Sequence, residues 1–339
     1  MITYTTHRQT NRIHKLAIVF GTALLLFCGQ TASIRAQDPP GDTVPHETTV
    51  PFPKHSIRLE ASEDGPFFTL ADLASYTPIT RPPAQKWTIR APVWDTYPPE
   101  ISDVPILPRT YPSATVEYLA SHEIEHGDRQ NPYVALTFDC ESGTESARQI
   151  LQILEQEQVH ATFFVLGRYA YLFPDIVRQI AEEGHEIGNH SFFHPLFTTI
   201  EPVTATQEIL NTEAVIDWAV GHHVPMRYIR FPYGGRNRAN RQHAAALGYQ
   251  SAFWDIDPRG WDPDKSAEDV VNHIKGTVHN GGIVIMHCGS WDDARALEQV
   301  IQAIRESGRV PGTLTDVLTE EQWNVPDYPK TWPRRSADK

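Results

Sequence analysis

With 339 residues, 40% hydrophobic and 10% aromatic, the chain is long enough for one large core or two modest ones. Its formal charge of −13 argues against a nucleic-acid partner, because phosphate binding needs clustered Lys and Arg and no basic run occurs beyond the extreme N-terminus. Three cysteines are too few for a disulfide scaffold.

Residues 1–36 read as a targeting segment. Arg8, Arg12 and Lys15 form a positive start, and Leu16 to Cys28 is uncharged and mostly apolar. That stretch is shorter than the ~20 apolar residues of a comfortable membrane span, and Ala32, Ser33 and Ala36 offer cleavage points. The protein is therefore expected to be secreted or extracytoplasmic, with an uncleaved signal anchor as the alternative. Residues 37–115 follow as a Pro-rich segment. Pairs such as Pro39-Pro40, Pro82-Pro83 and Pro98-Pro99 forbid regular helix and interior strand. This region is expected to be an extended linker or a wrapping segment, and the N-terminal part is a place for membrane or cell-wall association.

From residue 116 strands and helices alternate. Val134–Phe138 is a β-rich run ending at Asp139, and the next helix carries Ala147, Ile150, Leu151 and Leu154 on one face. A strand over 161–166 is followed by a helix from about Ile176 to Glu183, closed by Gly184. Glu186-Ile187-Gly188 leads to His190, and a longer helix spans about 204–220. Further strands are expected at 227–230, 251–254 and 283–286, with helices around 244–246, over 266–277 and through Leu297, Val300, Ile301 and Ile304. Alternation of this kind implies parallel strands joined by crossovers, an α/β chain closing into a barrel or nearly so. Residues 321–339 read as a C-terminal tail.

The polar residues of interest cluster by position. Asp139, His190, Arg230, Asp257 and His287 each fall at the C-terminal end of an expected strand, the rim on which β/α barrels build active sites. His190 and His194 stand four apart, close enough to share one ion. His122-Glu123-Ile124-Glu125-His126 also fits the His-Glu-x-x-His pattern of zinc proteases. Its alternation is that of a strand, and Gly127 stops it before a helix can form, so the match is read as coincidental.

Five ordered motifs now resemble a known family: Thr137-Phe138-Asp139, His190-Ser191-x-x-His194-Pro195, Arg230-Phe-Pro-Tyr-Gly234, Trp254-Asp-Ile-Asp257 with Trp261, and Ile285-Met-His287. They occur in the order of the polysaccharide deacetylases, carbohydrate esterase family 4 with the NodB-homology domain. Leu314 resembles the family's closing segment, so the resemblance covers about residues 116–320. It implies a distorted (β/α)7-type barrel and a hydrolase removing N-acetyl or O-acetyl groups from an extracellular glycan such as peptidoglycan, a chitin-like polymer or xylan. It further implies a divalent metal, most naturally Zn2+, on His190 and His194. Such an ion would polarise the acetyl carbonyl and activate water. Asp139 is implied as general base, Arg230 as its partner and His287 as the acid. The Tyr233 backbone N–H would hold the oxyanion, since Pro232 has no N–H to give. Trp261 and Ile285 would wall the acetyl pocket, with Pro232 and Asp257 also lining the substrate site.

Two departures from the family pattern stand out. Cys140 occupies the place of the family's metal-binding Asp, which leaves three readings: Cys140 as a thiolate ligand, Cys140 bridged to Cys288, or Glu141 as the third ligand. Gly260 stands where the family has an Asp before the motif Trp, so Arg230 is expected to be steered by Asp257 or Asp262. These changes motivate a second reading, a catalytically weakened glycan-binding protein on the same scaffold, and a third, a hydrolase of a small amide or ester. The sequence sets no oligomeric state.

Overall fold

The computed structural model describes residues 111–330. The targeting segment, most of the Pro-rich segment and residues 331–339 lie outside them. Helix α1 (Ser113–Ser121) opens the described chain, and strand β1 (Tyr133–Cys140) follows. All eight β1 residues are buried, as a strand with neighbours on both edges and helices behind it must be. The chain then alternates: α2 (Glu145–Gln156), β2 (Thr162–Val165), α3 (Gly167–Leu172), α4 (Pro174–Glu182), β3 (Glu186–Asn189), α5 (Pro202–Val220), β4 (Tyr228–Ile229), α6 (Arg238–Ala246) and β5 (Gln250–Ser251). Then come α7 (Ala267–Thr277), β6 (Ile283–His287), α8 (Trp291–Glu306), β7 (Val310–Gly312), α9 (Leu314–Val317) and α10 (Glu320–Trp323).

Every strand pairing is parallel, in the order β5-β4-β3-β2-β1-β6, with β7 also on the first residues of β1. The gap between β5 and β6 is crossed by single bridges, Ile124 with Ala252 and Ile256 with Val284. The ring is thus a distorted barrel of the (β/α)7 type. Helices seal its outside through apolar faces at helical spacing, such as Ala147, Ile150, Leu151 and Leu154 on α2. Helix α5 starts with Pro202 in its first turn and stops at Gly221 in the left-handed conformation.

Three local expectations are modified. The strands expected over 227–230 and 251–254 shrink to two residues each, because past Ser251 the chain leaves the sheet to form the single bridges. Asp257 consequently does not end a strand. His122–His126 contributes only the Ile124 bridge, with Glu123 held by Arg236 Nε at 2.9 and 3.1 Å and by Ser251 Oγ at 2.6 Å. Residues 320–328 are folded onto the domain: Val325 and Tyr328 pack with Leu119, Ala120 and Ala245.

The β1–β6 register pairs Asp139 with His287. The next residues, Cys140 and Cys288, are joined in a disulfide with their Cα atoms 4.8 Å apart. A crosslink across 148 residues constrains the unfolded chain strongly. Alkylation of the denatured, unreduced protein should leave both cysteines unlabelled, and the Cys140→Ser/Cys288→Ser pair should cost about 2–5 kcal/mol in urea unfolding. Labelling of either cysteine would remove the bridge from the structure.

Candidate active site

The barrel mouth is built around a buried ion pair. Arg230, just past β4, donates from Nη1 to Asp139 Oδ1 at 2.7 Å and from Nη2 to the Phe253 carbonyl at 3.2 Å. Its guanidinium lies 4.1 Å from the Phe164 ring centroid and 5.6 Å from that of Trp254. Gly188 makes this possible, since a Cβ there would meet Phe164 Cδ1 at 2.6 Å. Asp257 and Asp262, expected to steer Arg230, are occupied elsewhere: Asp257 accepts the Arg259 N–H at 2.8 Å, and Asp262 pairs with the Arg259 guanidinium at 2.6 Å. Their short loop closes on itself before it reaches the arginine.

The histidine pair sits on a strained loop. Ser191 and His194 have φ of 72° and 62°, unusual for non-glycine residues. Three acceptors hold the loop: Asn189 Oδ1 for the Ser191 N–H (2.9 Å), Ser191 Oγ for the His194 N–H (3.1 Å), and Glu208 Oε2 for the N–H groups of Phe192 and Phe193 (2.8 Å each). His190 Nδ1 donates to the Arg230 carbonyl at 2.8 Å. The neutral ring therefore turns an Nε2 lone pair toward Glu141 Oε1 at 3.4 Å and Asp139 Oδ2 at 3.6 Å. His194 Nε2 is buried 3.0 Å from Glu141 Oε1 without hydrogen-bond geometry.

Glu141, His190 and His194 bring one ligating atom each to within 4.8 Å of one another. A carboxylate with two imidazoles suits a divalent ion such as Zn2+, and the Glu141–histidine separations of 3.4 and 3.0 Å are close to the ~3.4 Å between ligands of a tetrahedral site with bonds of about 2.1 Å. Burial opposes charge on Glu141, yet the two imidazoles outweigh it and hold its carboxyl well below the usual carboxylate range. Burial likewise opposes charge on His190, and Asp139 and Glu141 outweigh it, raising that pKa. Cys140 is not a thiolate ligand, contrary to one of the three readings, because its sulfur is bonded to Cys288. Strand alternation sends the Cys140 side chain to the face opposite Asp139, where the bridge also holds Cys288, the residue after β6. Glu141, one residue beyond the strand, is free to turn back into the mouth.

His287 completes the ring of groups. Asp139, Glu141 and His287 also bring ligating atoms to within 4.8 Å of one another, so Glu141 belongs to both trios. Burial lowers the His287 pKa, but Asp293, Asp139 and Glu141 together raise it above its ordinary value. Tyr233 (φ 58°) is 72% exposed and stacks edge-on against His194 at 4.4 Å, with Pro232 buried beneath it. Trp261 is 52% exposed, and Ile285 is buried on β6. Asp257 is half-buried and bound to its own loop.

Two residues at the site escaped sequence reasoning. Glu208 left only a weak signal, an acid within the buried stretch of α5. Asp293 looked like an ordinary first-turn acid of α8.

The profile of the polysaccharide deacetylase family matches residues 126–252. A chitooligosaccharide deacetylase of Bradyrhizobium sp. is 32% identical over 178 residues, 50% of this chain and 80% of that protein. The peptidoglycan-N-acetylmuramic acid deacetylase PdaC of Bacillus subtilis is 30% identical over 192 residues, 57% of this chain but 40% of its own length. Among solved structures, a CE4 family pseudoenzyme from Bacillus anthracis superposes with a TM-score of 0.56 at 26% identity, covering 59% of this chain and 69% of that one. The chain belongs to the polysaccharide deacetylase family, and by class it is a carbohydrate deacetylase, a hydrolase.

Glu208 gives the histidine loop a titration signature. Burial lifts its pKa from 4.5 to about 7, against the pull of the Phe193 and Phe192 N–H groups. The folded state then binds the proton more tightly than the unfolded one, so this stabilisation is full below pH 4.5 and lost as pH rises through about 7. The gap corresponds to about 3 kcal/mol. Urea unfolding from pH 4 to 8 should show this decline, and Glu208→Gln should flatten it. An identical pH slope in the variant would show that Glu208 is not its source.

Proposed function

We propose that the protein is a secreted, metal-dependent deacetylase that hydrolyses N-acetyl groups, or O-acetyl groups, of an extracellular glycan. The observation that carries this reading is the pair of trios sharing Glu141, which draws an ion-paired carboxylate, two imidazoles and a third imidazole into one barrel mouth. Relatives named for peptidoglycan and chitooligosaccharide deacetylation support a substrate of acetylated amino sugars. The Cys140–Cys288 bridge and the N-terminal targeting pattern support an oxidising, extracytoplasmic address.

Glu141, His190 and His194 would hold the divalent ion, Zn2+ by donor set, and the ion supplies Lewis acidity toward the acetyl carbonyl and toward water. Asp139 takes the proton of the attacking water. Arg230 keeps Oδ1, which leaves Oδ2, the oxygen facing His190, for that task. General-base help of this kind is worth about 10²–10⁴ in rate. The Tyr233 N–H stabilises the oxyanion, and its left-handed turn at the edge of the mouth suits an inward-pointing amide. His287 protonates the departing sugar amine or alkoxide. Ile285 and Trp261 bound the space for the acetyl methyl group, with Trp261 also offering an exposed ring to a sugar face.

The similarity to a pseudoenzyme favours one rival, a glycan-binding protein without turnover. Acetate release from acetylated peptidoglycan, chitooligosaccharide and xylan separates the two. Asp139→Asn is expected to lower turnover at least ~10²-fold with bound metal retained, whereas His190→Ala and Glu141→Ala should lose the metal itself. A wild-type protein that releases no more acetate than Asp139→Asn on any of these glycans, while still binding one, would establish the rival.

A further inference from the structure

We infer that Asp293 is the positioning carboxylate of His287, and that Gly260 is the vacant side-chain position this arrangement requires. The inference rests on the reading of His287 as the proton donor.

Asp293 lies in the first turn of α8 with no solvent exposure. Its Oδ2 accepts the His287 backbone N–H at 2.9 Å and lies 3.8 Å from His287 Nδ1. Its Oδ1 is buried with no hydrogen-bond partner, and His287 is its ion-pair partner among the described residues. A buried carboxylate without a guanidinium or ammonium beside it is strongly unfavourable unless another group supplies positive charge or a proton. Here the group within reach is the His287 imidazole.

Capping geometry shows that the carboxylate has been diverted. Helices α7 and α9 begin with Ser266 and Thr313, and in each the acid three residues on, Asp269 or Asp316, returns to the N-cap backbone to close a capping box. Helix α8 has the same spacing, Ser290 and Asp293, and Ser290 Oγ accepts the Asp293 N–H at 3.0 Å. The reciprocal bond is missing. The Ser290 N–H donates instead to the His287 carbonyl at 3.1 Å, and Asp293 turns onto His287. Ser290 Oγ donates onward to the Gly260 carbonyl at 2.7 Å, tying the turn before Trp261 to the same cluster.

Gly260 fits the arrangement sterically. A Cβ on residue 260 would stand 1.9 Å from Asp293 Oδ1, so a side chain there and the Asp293 carboxylate exclude each other. The departure at Gly260 thereby gains a physical account: the carboxylate enters from the helix after β6 rather than from the turn before Trp261. With Nδ1 turned to Asp293, Nε2 is left to face the mouth, where a His287 nitrogen lies within 4.8 Å of Asp139 and Glu141 oxygens.

Relocating the carboxylate in the full chain tests this. Asp293→Asn keeps an acceptor for the His287 N–H, so it should fold, while lowering kcat for acetate release roughly 10- to 100-fold with KM within about twofold. Asp293→Ala should lose at least as much, and Gly260→Asp/Asp293→Ala should recover at least about tenfold over Asp293→Ala. At fixed pH, the 15N spectrum of His287 should show Nδ1 protonated in the wild type and a changed tautomer balance in Asp293→Asn. An unchanged tautomer, an unchanged kcat in Asp293→Asn, or a folded double variant no better than Asp293→Ala would each overturn the inference. A wild type without turnover counts against the deacetylase reading alone, because the tautomer measurement still decides the role of Asp293.

Discussion

A guanidinium sealed from solvent faces a carboxylate inside the barrel mouth, and the rest of the site is arranged around that pair. Desolvating Arg230 and Asp139 is costly, and the 2.7 Å contact offsets the cost only because the ring of Phe164, the carbonyl of Phe253 and the fixed strand geometry hold the guanidinium in place. The same residue acts a second time through its backbone. Its carbonyl accepts the His190 Nδ1–H and so chooses which ring nitrogen faces Glu141. One position after a two-residue strand thus fixes both a carboxylate oxygen and an imidazole tautomer. Removing either charge would strand the other, a loss of about 3–5 kcal/mol for a buried pair.

The second constraint is the period of two along a strand. Asp139 and His287 are register partners on β1 and β6, and alternation turns Cys140 to the reverse face, where it is bonded to Cys288 just past β6. The disulfide therefore fastens the end of β1, which carries Asp139, to the end of β6, which carries His287, without entering the mouth. It also removes residue 140 from the ligand set. Glu141 reaches His190 and His194 instead because it follows the last strand residue, where alternation no longer dictates direction, and its longer side chain spans the added distance.

Much of this was legible in the sequence, for identifiable reasons. Asp139, His190, Arg230 and His287 could be placed because strand ends are marked by apolar runs, and parallel strands deliver their C-terminal ends to one rim. Glu141 stays one of three readings in the sequence because strand periodicity does not show where a side chain turns once the strand ends. Asp257 and Asp262 were expected on Arg230 from proximity in the motif, whereas Arg259, two and three residues away from them, captures both. Glu208 and Asp293 were hidden for a different reason. Each lies on a helix with an ordinary local explanation, and each acquires its role through a contact that only the packing of that helix against the rim creates.

These placements give the mouth a common electrostatic character. Asp139, Glu141 and Asp293 outnumber the single guanidinium among them; against the effect of burial, Asp139 and Glu141 raise the pKa of His190, and Asp293 joins them in raising that of His287. At His190 that raised pKa and an affinity for a divalent cation are one property seen with two ligands, because proton and metal compete for the same Nε2 lone pair. At His287 the same field has another consequence, since Asp293 lies toward Nδ1 and raises the ring's pKa without consuming the face turned to Asp139. Two imidazoles in one negative pocket are thereby set apart by what each Nδ1 is given: the neutral carbonyl of Arg230 in one case, a buried carboxylate in the other.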